Sequence, residues 1–234
     1  MKYILAVLII CFSGAVKAEE DCSMVTPGLD HILWAVPNLQ EGAKIFEGLT
    51  GVKPILGGIH TNGGTGNYLV SLGYCVYFEI YGPAPNGVLD EGSQFLEDMD
   101  KPSLFSYAVH SSNLEEMAQS GLEAGLKAGS PKTNGRARPD GVMLNWEAFT
   151  FLDHPFADFM PFVIDWKNSP HPSGSTPEGA TIKAFEVTHP EGEKLKRYFK
   201  AMGLPISVKI GPHDLKLILN TPKGEVELDY NLGN

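Results

Sequence analysis

The stretch that decides the fold is LDHILWAVPNLQEGAKIFEGLTG, residues 29–51. Apolar residues fall on both faces of its first eight positions, which predicts a strand covered on both sides. Asn38 then offers a helix N-cap, apolar residues recur at helical spacing, and Gly51 ends the pattern. The stretch therefore predicts a strand followed directly by an amphipathic helix.

The same strand–helix unit occurs twice more along the chain. Strands predicted at SLFSYAVHSS and ATIKAFEVTH precede helices, and the three helices start near residues 39, 114 and 191, at spacings of 75 and 77. Two or three further strands follow each helix, and the period is too long for a solenoid. The pattern predicts duplicated α+β modules that share one core.

The N-terminal MKYILAVLIICFSGAVKA predicts a signal peptide over residues 1–18, cleaved after Ala18, and hence a periplasmic or secreted protein. A retained membrane anchor is the alternative. After cleavage two cysteines remain, Cys22 and Cys75, and in an oxidising compartment they either pair or stay as isolated thiols.

The charge limits the partners of the mature chain. The formal net charge is −10, and removal of Lys2 and Lys17 takes it to −12. An acidic protein of this kind is not expected to bind nucleic acid, or membranes once the signal is cleaved.

The Ser/Pro/His-rich residues 167–179 predict a linker between a paired domain at 25–166 and a third module at 180–234.

The strand YCVYFEIYG, residues 74–82, separates a core face from a polar face. Val76, Phe78 and Ile80 share one side. Tyr77, Glu79 and Tyr81 share the other, which is typical of a pocket wall, although a lone strand glutamate is as often a solvated surface group. His31 on the first strand is by itself more often a core residue than a ligand.

Several motifs carry a resemblance to a known family. The residues LDH (29–31), GGIHTNGGTGN (57–67) and YFE (77–79) resemble the first module of the vicinal oxygen chelate superfamily, in its glyoxalase-like domain branch. RPDGVMLNW (138–146), PFVIDW (161–166) and HPSG (171–174) also fit that branch, and the resemblance covers residues 28–188. It implies an α+β fold of repeated βαβββ modules whose mixed sheets curl around a central cavity, with a third C-terminal module.

The resemblance implies a single divalent metal, held by side chains of the first and fourth strands of each module. His31 and Glu79 take two of those positions, and imidazole with carboxylate suits Fe, Mn, Ni or Zn. The second module departs from the pattern, with Ser106 at the histidine position and an apolar residue near Phe162 or Val163 at the other. The third ligand is then His110, four residues after Ser106, or His60.

The glycine-rich residues 57–67 lack the Lys-Ser/Thr of a phosphate-binding loop, and no nucleotide cofactor is expected. They form either a hairpin connection or, as the resemblance favours, a loop over the pocket mouth. By the resemblance, Gly66 takes the position before Asn67 at which relatives in this branch commonly carry Arg. The predicted substrate contacts are Thr65, Asn67, Tyr77, Tyr81 and Trp146. Arg136 and Arg138 either hold a carboxylate or are solvated.

Three functions remain open. The first is a metal-assisted lyase, isomerase or dioxygenase in which Glu79 or His60 moves a proton on a small oxygenated molecule. The second is a metal-free protein that binds or sequesters a small molecule in the same cavity. The third is a degenerate structural homologue. The modules pair either within one chain or across a homodimer.

Overall fold

The computed structural model describes residue 22, residues 28–61 and residues 64–232. The predicted signal peptide lies outside the described residues. No helix within the described ranges has both the length and the apolar character that crossing a membrane requires.

The first module follows the predicted order of one strand, one helix and three strands. Its elements are β1 (Gly28–Ala35), α1 (Leu39–Thr50), β2 (Ile55–His60), β3 (Thr65–Gly73) and β4 (Val76–Pro83). The Asn38 side chain accepts a hydrogen bond from the Glu41 backbone N–H at 3.0 Å, and Gly51 ends the helix with φ of 77°. Both predicted ends of α1 are confirmed.

The second module repeats this plan with one added two-stranded ribbon. Its elements are β5 (Ser103–His110), α2 (Leu114–Glu123), β6 (Lys127–Ala128), β7 (Lys132–Ala137), β8 (Met143–Phe149), β9 (Phe151–Leu152) and β10 (Phe162–Asp165). The ribbon pairs β6 with β9.

The eight long strands of these modules close into a barrel in the order β1-β4-β3-β2-β7-β8-β10-β5. In each half the first strand lies parallel to the last strand of its own module. The register pairs Leu33 with Glu79 in the first half and Ala108 with Phe162 in the second. Residues 33 and 108 differ by 75, the predicted repeat, so Phe162 stands where the first half has Glu79.

The third module has the predicted element order but a different sheet. It consists of β11 (Thr181–His189), α3 (Gly192–Ala201), β12 (Ser207–Ile210), β13 (Asp214–Thr221) and β14 (Gly224–Asp229). Its strand order is β12-β11-β13-β14, so the strand after the helix lies beside the first strand. In the barrel modules that neighbour is the last strand, so this module is no third copy of the barrel half.

The third sheet packs against the outside of the barrel. A continuous core of buried side chains joins Ile32 and Phe78 of the barrel to Leu195 and Leu217 of the third module. The Tyr107 and Phe185 rings meet across this interface at 5.0 Å.

A disulfide and a buried segment connect parts of the chain outside the sheets. Cys22 and Cys75 form a disulfide, which resolves the alternatives that the sequence left open. The segment 167–179 runs from the barrel to the third sheet with a 3-10 turn at Pro172–Ser175. Its His171 and Ser173 are buried, so this segment lies against the barrel rather than crossing solvent.

Candidate functional site

The barrel encloses a cavity of about 550 Å³, within the size range of small-molecule sites. Eight of the nine predicted site residues line it: His31, His60, Thr65, Asn67, Tyr77, Glu79, Tyr81 and Trp146. On β4 the predicted alternation is the observed one, because Tyr77 and Glu79 face the cavity while Phe78 and Ile80 lie in the outer core. The ninth residue, His110, does not line the cavity.

Glu79 lies at the centre of a polar chain inside the barrel. Asn67 Nδ2 donates a hydrogen bond to Glu79 Oε1 at 2.8 Å. His60 Nε2 lies 3.6 Å from the same oxygen, and His31 Nε2 lies 3.5 Å from Glu79 Oε2. The carboxylate is buried, and one amide and two imidazoles lie close to it.

His60 is held in one tautomer by its neighbours. Its Nε2 lies 3.2 Å from Asn67 Nδ2, and its Nδ1 lies 3.0 Å from Thr65 Oγ1. Because the amide nitrogen can only donate, Nε2 accepts and Nδ1 carries the proton toward Thr65. Burial lowers the pKa of His60 against the opposing pull of Glu79, so His60 is neutral at neutral pH.

His31 is oriented from behind by Asp30, a residue that the sequence analysis missed. His31 Nδ1 lies 2.6 Å from Asp30 Oδ1, so Nδ1–H donates to the carboxylate and Nε2 is left for Glu79. Asp30 is fully buried and also accepts from Trp166 Nε1 at 3.1 Å. The sequence signal was the D of LDH, but alternation places Asp30 outside the barrel. A register shift between Leu29 and His31 breaks that alternation.

Two further histidines surround the Asp30 carboxylate. His171 Nε2 lies 3.3 Å and His110 Nδ1 lies 3.5 Å from Asp30 Oδ2. Burial works against ionisation of Asp30, yet attraction to His171 and the close approach of all three histidines hold its pKa well below the ordinary value. Asp30 is therefore a buried anion beneath His31.

The structure places His110, one of the two predicted candidates for a third metal ligand, away from His31 and Glu79. It has the strand parity of Ser106, but the register pairs it with Gly28, three residues before His31 and about 10 Å along the strand. It lies against Asp30 at the end of the barrel. Neither of its ring nitrogens has a hydrogen-bond partner within the standard distance among the described residues.

The described residues do not fit the metal that the resemblance implies. The positions of the second half equivalent to His31 and Glu79 hold Ser106, as predicted, and Phe162, one of the two residues that the prediction left open. The Asn67 amide donates toward both His60 Nε2 and Glu79 Oε1, the lone pairs that a metal would need. Across the described ranges no group of three or more His, Cys, Asp or Glu side chains is arranged to hold a metal ion.

Strand β7 adds cations to the cavity, and its strand character was not predicted. Lys132, Asn134 and Arg136 all line the cavity, the first exposed, the second half-buried and the third buried. Arg136 also lines a second cavity of about 350 Å³. The two arginines that the sequence could not separate differ sharply, because Arg138 pairs with Asp140 near the surface.

The wall opposite the polar chain is apolar and aromatic. Trp146 and Trp166 contact each other at 5.2 Å between ring centroids, and Phe162 meets the His31 ring edge-on at 5.4 Å. Tyr77 stacks on the other side of His31 at 4.5 Å. Burial raises the pKa of Tyr81 to about 12, so its hydroxyl stays protonated at neutral pH.

The glycine-rich stretch is a hairpin whose strands themselves line the cavity. Residues 62 and 63, between these two strands in the sequence, are outside the described ranges. A Cβ on Gly57 would lie 2.2 Å from Asn67 Oδ1 and 2.7 Å from Arg136 Nη1. Glycine at this position therefore leaves the space that both polar side chains occupy.

The sequence profile of the glyoxalase-like domain family matches residues 29–203 of the chain. No curated protein matches it in a sequence search.

Solved structures share the architecture at low sequence identity. A hypothetical protein from Staphylococcus aureus is 15% identical, with 87% of this chain and 85% of that one aligned at a TM-score of 0.60. The methylmalonyl-CoA epimerase of Mycobacterium tuberculosis is 19% identical, with 58% of this chain and 85% of that one aligned at a TM-score of 0.42. The first of these likenesses supports the fold.

Proposed function

The chain belongs to the glyoxalase-like domain family, within the vicinal oxygen chelate superfamily, and on this premise we propose that its barrel is the active site of a metal-independent proton-transfer enzyme. Family membership makes it a protein that acts on or binds a small molecule. The finer proposal is an isomerase or lyase that acts at a carbon next to a carbonyl. The observation that carries it is the buried Glu79, which faces the cavity between His31 and His60.

Glu79 is the base in this proposal. Asn67 holds one carboxylate oxygen, Oε1, and the other, Oε2, is directed to His31 Nε2. Oε2 takes the proton from carbon, and the electron pair of the C–H bond moves to the carbonyl oxygen as an enolate. Return of the proton to a neighbouring carbon or oxygen completes an isomerisation and restores the carboxylate.

The two histidines keep the proton inside the site. His31 receives a proton at Nε2, because Asp30 fixes Nδ1–H and stabilises the imidazolium that results. Neutral His60 has its lone pair directed to the Asn67–Glu79 pair and is the second acceptor. The apolar wall of Trp146 and Phe162 excludes water, which strengthens these interactions.

A metal-free binding protein is the second candidate, and the aromatic wall favours it. Trp146, Trp166 and Phe162 offer a surface for a flat apolar ligand without any chemistry. The two candidates differ in one measurable property, namely turnover of a bound carbon acid.

The test is hydrogen–deuterium exchange at carbon. Chelator-treated protein is incubated in D₂O with a panel of small 2-oxo and 2-hydroxy carbonyl compounds, and NMR follows the signal of the C–H next to the carbonyl. We expect exchange with at least one compound in the wild type and its loss in Glu79→Gln. The matched control is Glu147→Gln, because Glu147 pairs with Lys167 near the surface.

Each outcome decides between the candidates. Exchange that survives the chelator and fails only in Glu79→Gln supports the proposal. Exchange that appears only after a divalent metal is added overturns its metal-independent part. Saturable binding with no exchange by any compound overturns catalysis and favours the binding protein.

Export is part of the proposal. The N-terminal signal pattern and the Cys22–Cys75 disulfide both support a periplasmic or secreted location. Fractionation of producing cells, with mass spectrometry of the mature N-terminus, tests it. Uncleaved protein in the cytoplasm with free thiols would contradict it.

A further inference from the structure

We infer that the ligand of this barrel carries a carboxylate group and that Arg136 binds it. The inference rests on the proposed function in one respect, that the barrel cavity is the ligand site. It names the ligand class, which neither the family nor the fold supplies.

Among the residues that the structure describes, Arg136 is a buried cation without an ionic partner. Its side chain is 1% exposed, and no described carboxylate lies within 4.0 Å of its guanidinium. Burial lowers the pKa of Arg136, with Tyr77 and Glu79 acting in the other direction at longer range. A buried charge is costly unless it is paired, so an anion brought by the ligand supplies what the protein does not.

The side-chain hydrogen bond of Arg136 uses only one of its N–H donors. Nη1 donates to the Gly57 carbonyl oxygen, which joins β7 to β2. A guanidinium has five N–H donors in a planar fork that suits a carboxylate. One backbone carbonyl oxygen needs only one N–H donor. An uncharged amide side chain could supply that donor without the burial of a charge.

The backbone beneath Arg136 leaves room for its side chain. A Cβ on Gly57 would lie 2.7 Å from Nη1, and one on Gly58 would lie 2.9 Å from the arginine Cγ. Two adjacent glycines thus make the groove in which this side chain lies. The arrangement places a rigid cation in the cavity wall rather than a mobile one at the surface.

Strand β7 leads from the cavity mouth to Arg136. Its cavity-facing residues pass from exposed Lys132 through half-buried Asn134 to buried Arg136. The chain as a whole is acidic, with a net charge of −10. The two cations on one face of β7 are therefore not explained by an excess of basic residues in the chain. A cationic strand inside an acidic protein attracts and orients an anion.

The other groups in the cavity restrict the ligand further. Glu79 repels a second negative charge near its own carboxylate, and the Trp146–Trp166 wall favours an apolar or aromatic body. The ligand class is therefore a small monocarboxylate with an apolar or aromatic body.

The experiment compares an acid with its neutral ester. Calorimetric titration measures benzoylformate and methyl benzoylformate against wild type, Arg136→Gln, Arg136→Lys and Arg138→Gln. We expect wild type to bind the acid at least about tenfold more tightly than the ester. Arg136→Gln removes the preference, Arg136→Lys keeps part of it, and Arg138→Gln keeps all of it because Arg138 pairs with Asp140.

Benzoylformate has no hydrogen on the carbon next to its carbonyl, so it reports binding and not the proposed chemistry. Equal affinity for acid and ester in wild type overturns the inference and leaves the proton-transfer proposal intact. A preference that depends on Arg136, in a protein that catalyses no exchange, supports the inference and overturns the catalytic proposal. If a panel of monocarboxylates from two to ten carbons shows no binding, the inference is also overturned. Circular dichroism melting shows whether Arg136→Gln is folded, and Arg136→Lys carries the test if it is not.

Discussion

The two halves of the barrel share a strand order and a 75-residue offset, yet their inner faces differ. The first half places His31 and Glu79 in the cavity. The second half places Phe162 there and has Ser106 at the histidine position. The same backbone plan therefore carries a chain of polar side chains, which we propose transfers protons, on one side and an aromatic wall with one buried cation on the other.

This difference shows why the metal does not follow from the fold. The metal that the resemblance implies would take ligands from both halves, and here the second half has Ser106 and Phe162 at those positions. The first half instead satisfies its own polar groups. Asp30 binds His31, and Asn67 binds both Glu79 and His60. A duplicated fold predicts where functional side chains lie, and the side chains at those positions decide the chemistry.

The largest expected effect contrasts the equivalent positions 79 and 162. Glu79→Gln should lower the rate of carbon–hydrogen exchange by about 10² to 10⁴-fold, because the amide cannot act as the base. Phe162→Leu should lower it only a few-fold, since it trims the wall and removes no proton acceptor. The measurement is the exchange rate of both variants with the same carbon acid. Equal losses in the two variants would mean that the halves do not divide their roles.

The next effect concerns Asp30, whose carboxylate contacts His31, His110 and His171. Asp30→Asn should reduce the free energy of unfolding by about 3–5 kcal/mol at pH 6, because three histidines lose a buried anionic partner. The folded-state pKa of Asp30 is below its ordinary value of 3.8. Its contribution to stability is thus complete above that value and is lost as the pH falls toward the lower folded pKa.

Denaturant unfolding at pH 6 and at pH 3 checks this prediction, with the disulfide intact. The difference between wild type and Asp30→Asn should be smaller at pH 3. A difference that stays constant or grows on acidification would show that Asp30 is not ionised in the folded protein.

Periodicity in the sequence predicts the parts of the site that lie on regular strands. Alternation on β4 is enough to place Tyr77, Glu79 and Tyr81 on one face. The residue equivalent to Glu79 in the second half is predicted only as an apolar one near Phe162 or Val163, and the observed register identifies it as Phe162. The first inference needs only the pleat of a strand, whereas the second also needs the resemblance, because residues 79 and 162 are not one 75-residue repeat apart.

Three features of the site were not predicted, because strand alternation alone does not determine them. Asp30 lies at a register shift, where alternation fails. Strand β7 reads KTNGRA, and its inward residues are polar because they face a cavity, so no apolar alternation marks it as a strand. His110 has the predicted parity, but parity gives no position along the barrel axis.

A smaller effect contrasts two glycines of the first half. Gly57→Ala should destabilise the protein by about 1–3 kcal/mol, because the new Cβ meets Asn67 Oδ1, Arg136 Nη1 and Leu69 Cδ1 at less than 3.0 Å. Gly48→Ala should stabilise it by about 0.5–1 kcal/mol, since this position of α1 has no atom within 4 Å of a new Cβ. Chemical denaturation of the pair measures both. Similar values would mean that the hairpin adjusts freely around Gly57.

The smallest effect extends the comparison to the third module. Glu227 lies on β14, the last strand of the third module, as Glu79 lies on β4, the last strand of the first. However, β14 belongs to the open sheet β12-β11-β13-β14 and not to the barrel. There Glu227 is exposed and accepts a hydrogen bond from Lys216 Nζ at 2.6 Å. Glu227→Gln should change Tm by less than about 2 °C, because exposed ion pairs contribute little, and should leave carbon–hydrogen exchange at the wild-type rate. Scanning calorimetry and the exchange assay measure the two effects. A large loss of exchange in this variant would show that the third module takes part in the chemistry, and the contrast that confines the proton-transfer groups to the first half of the barrel would fail.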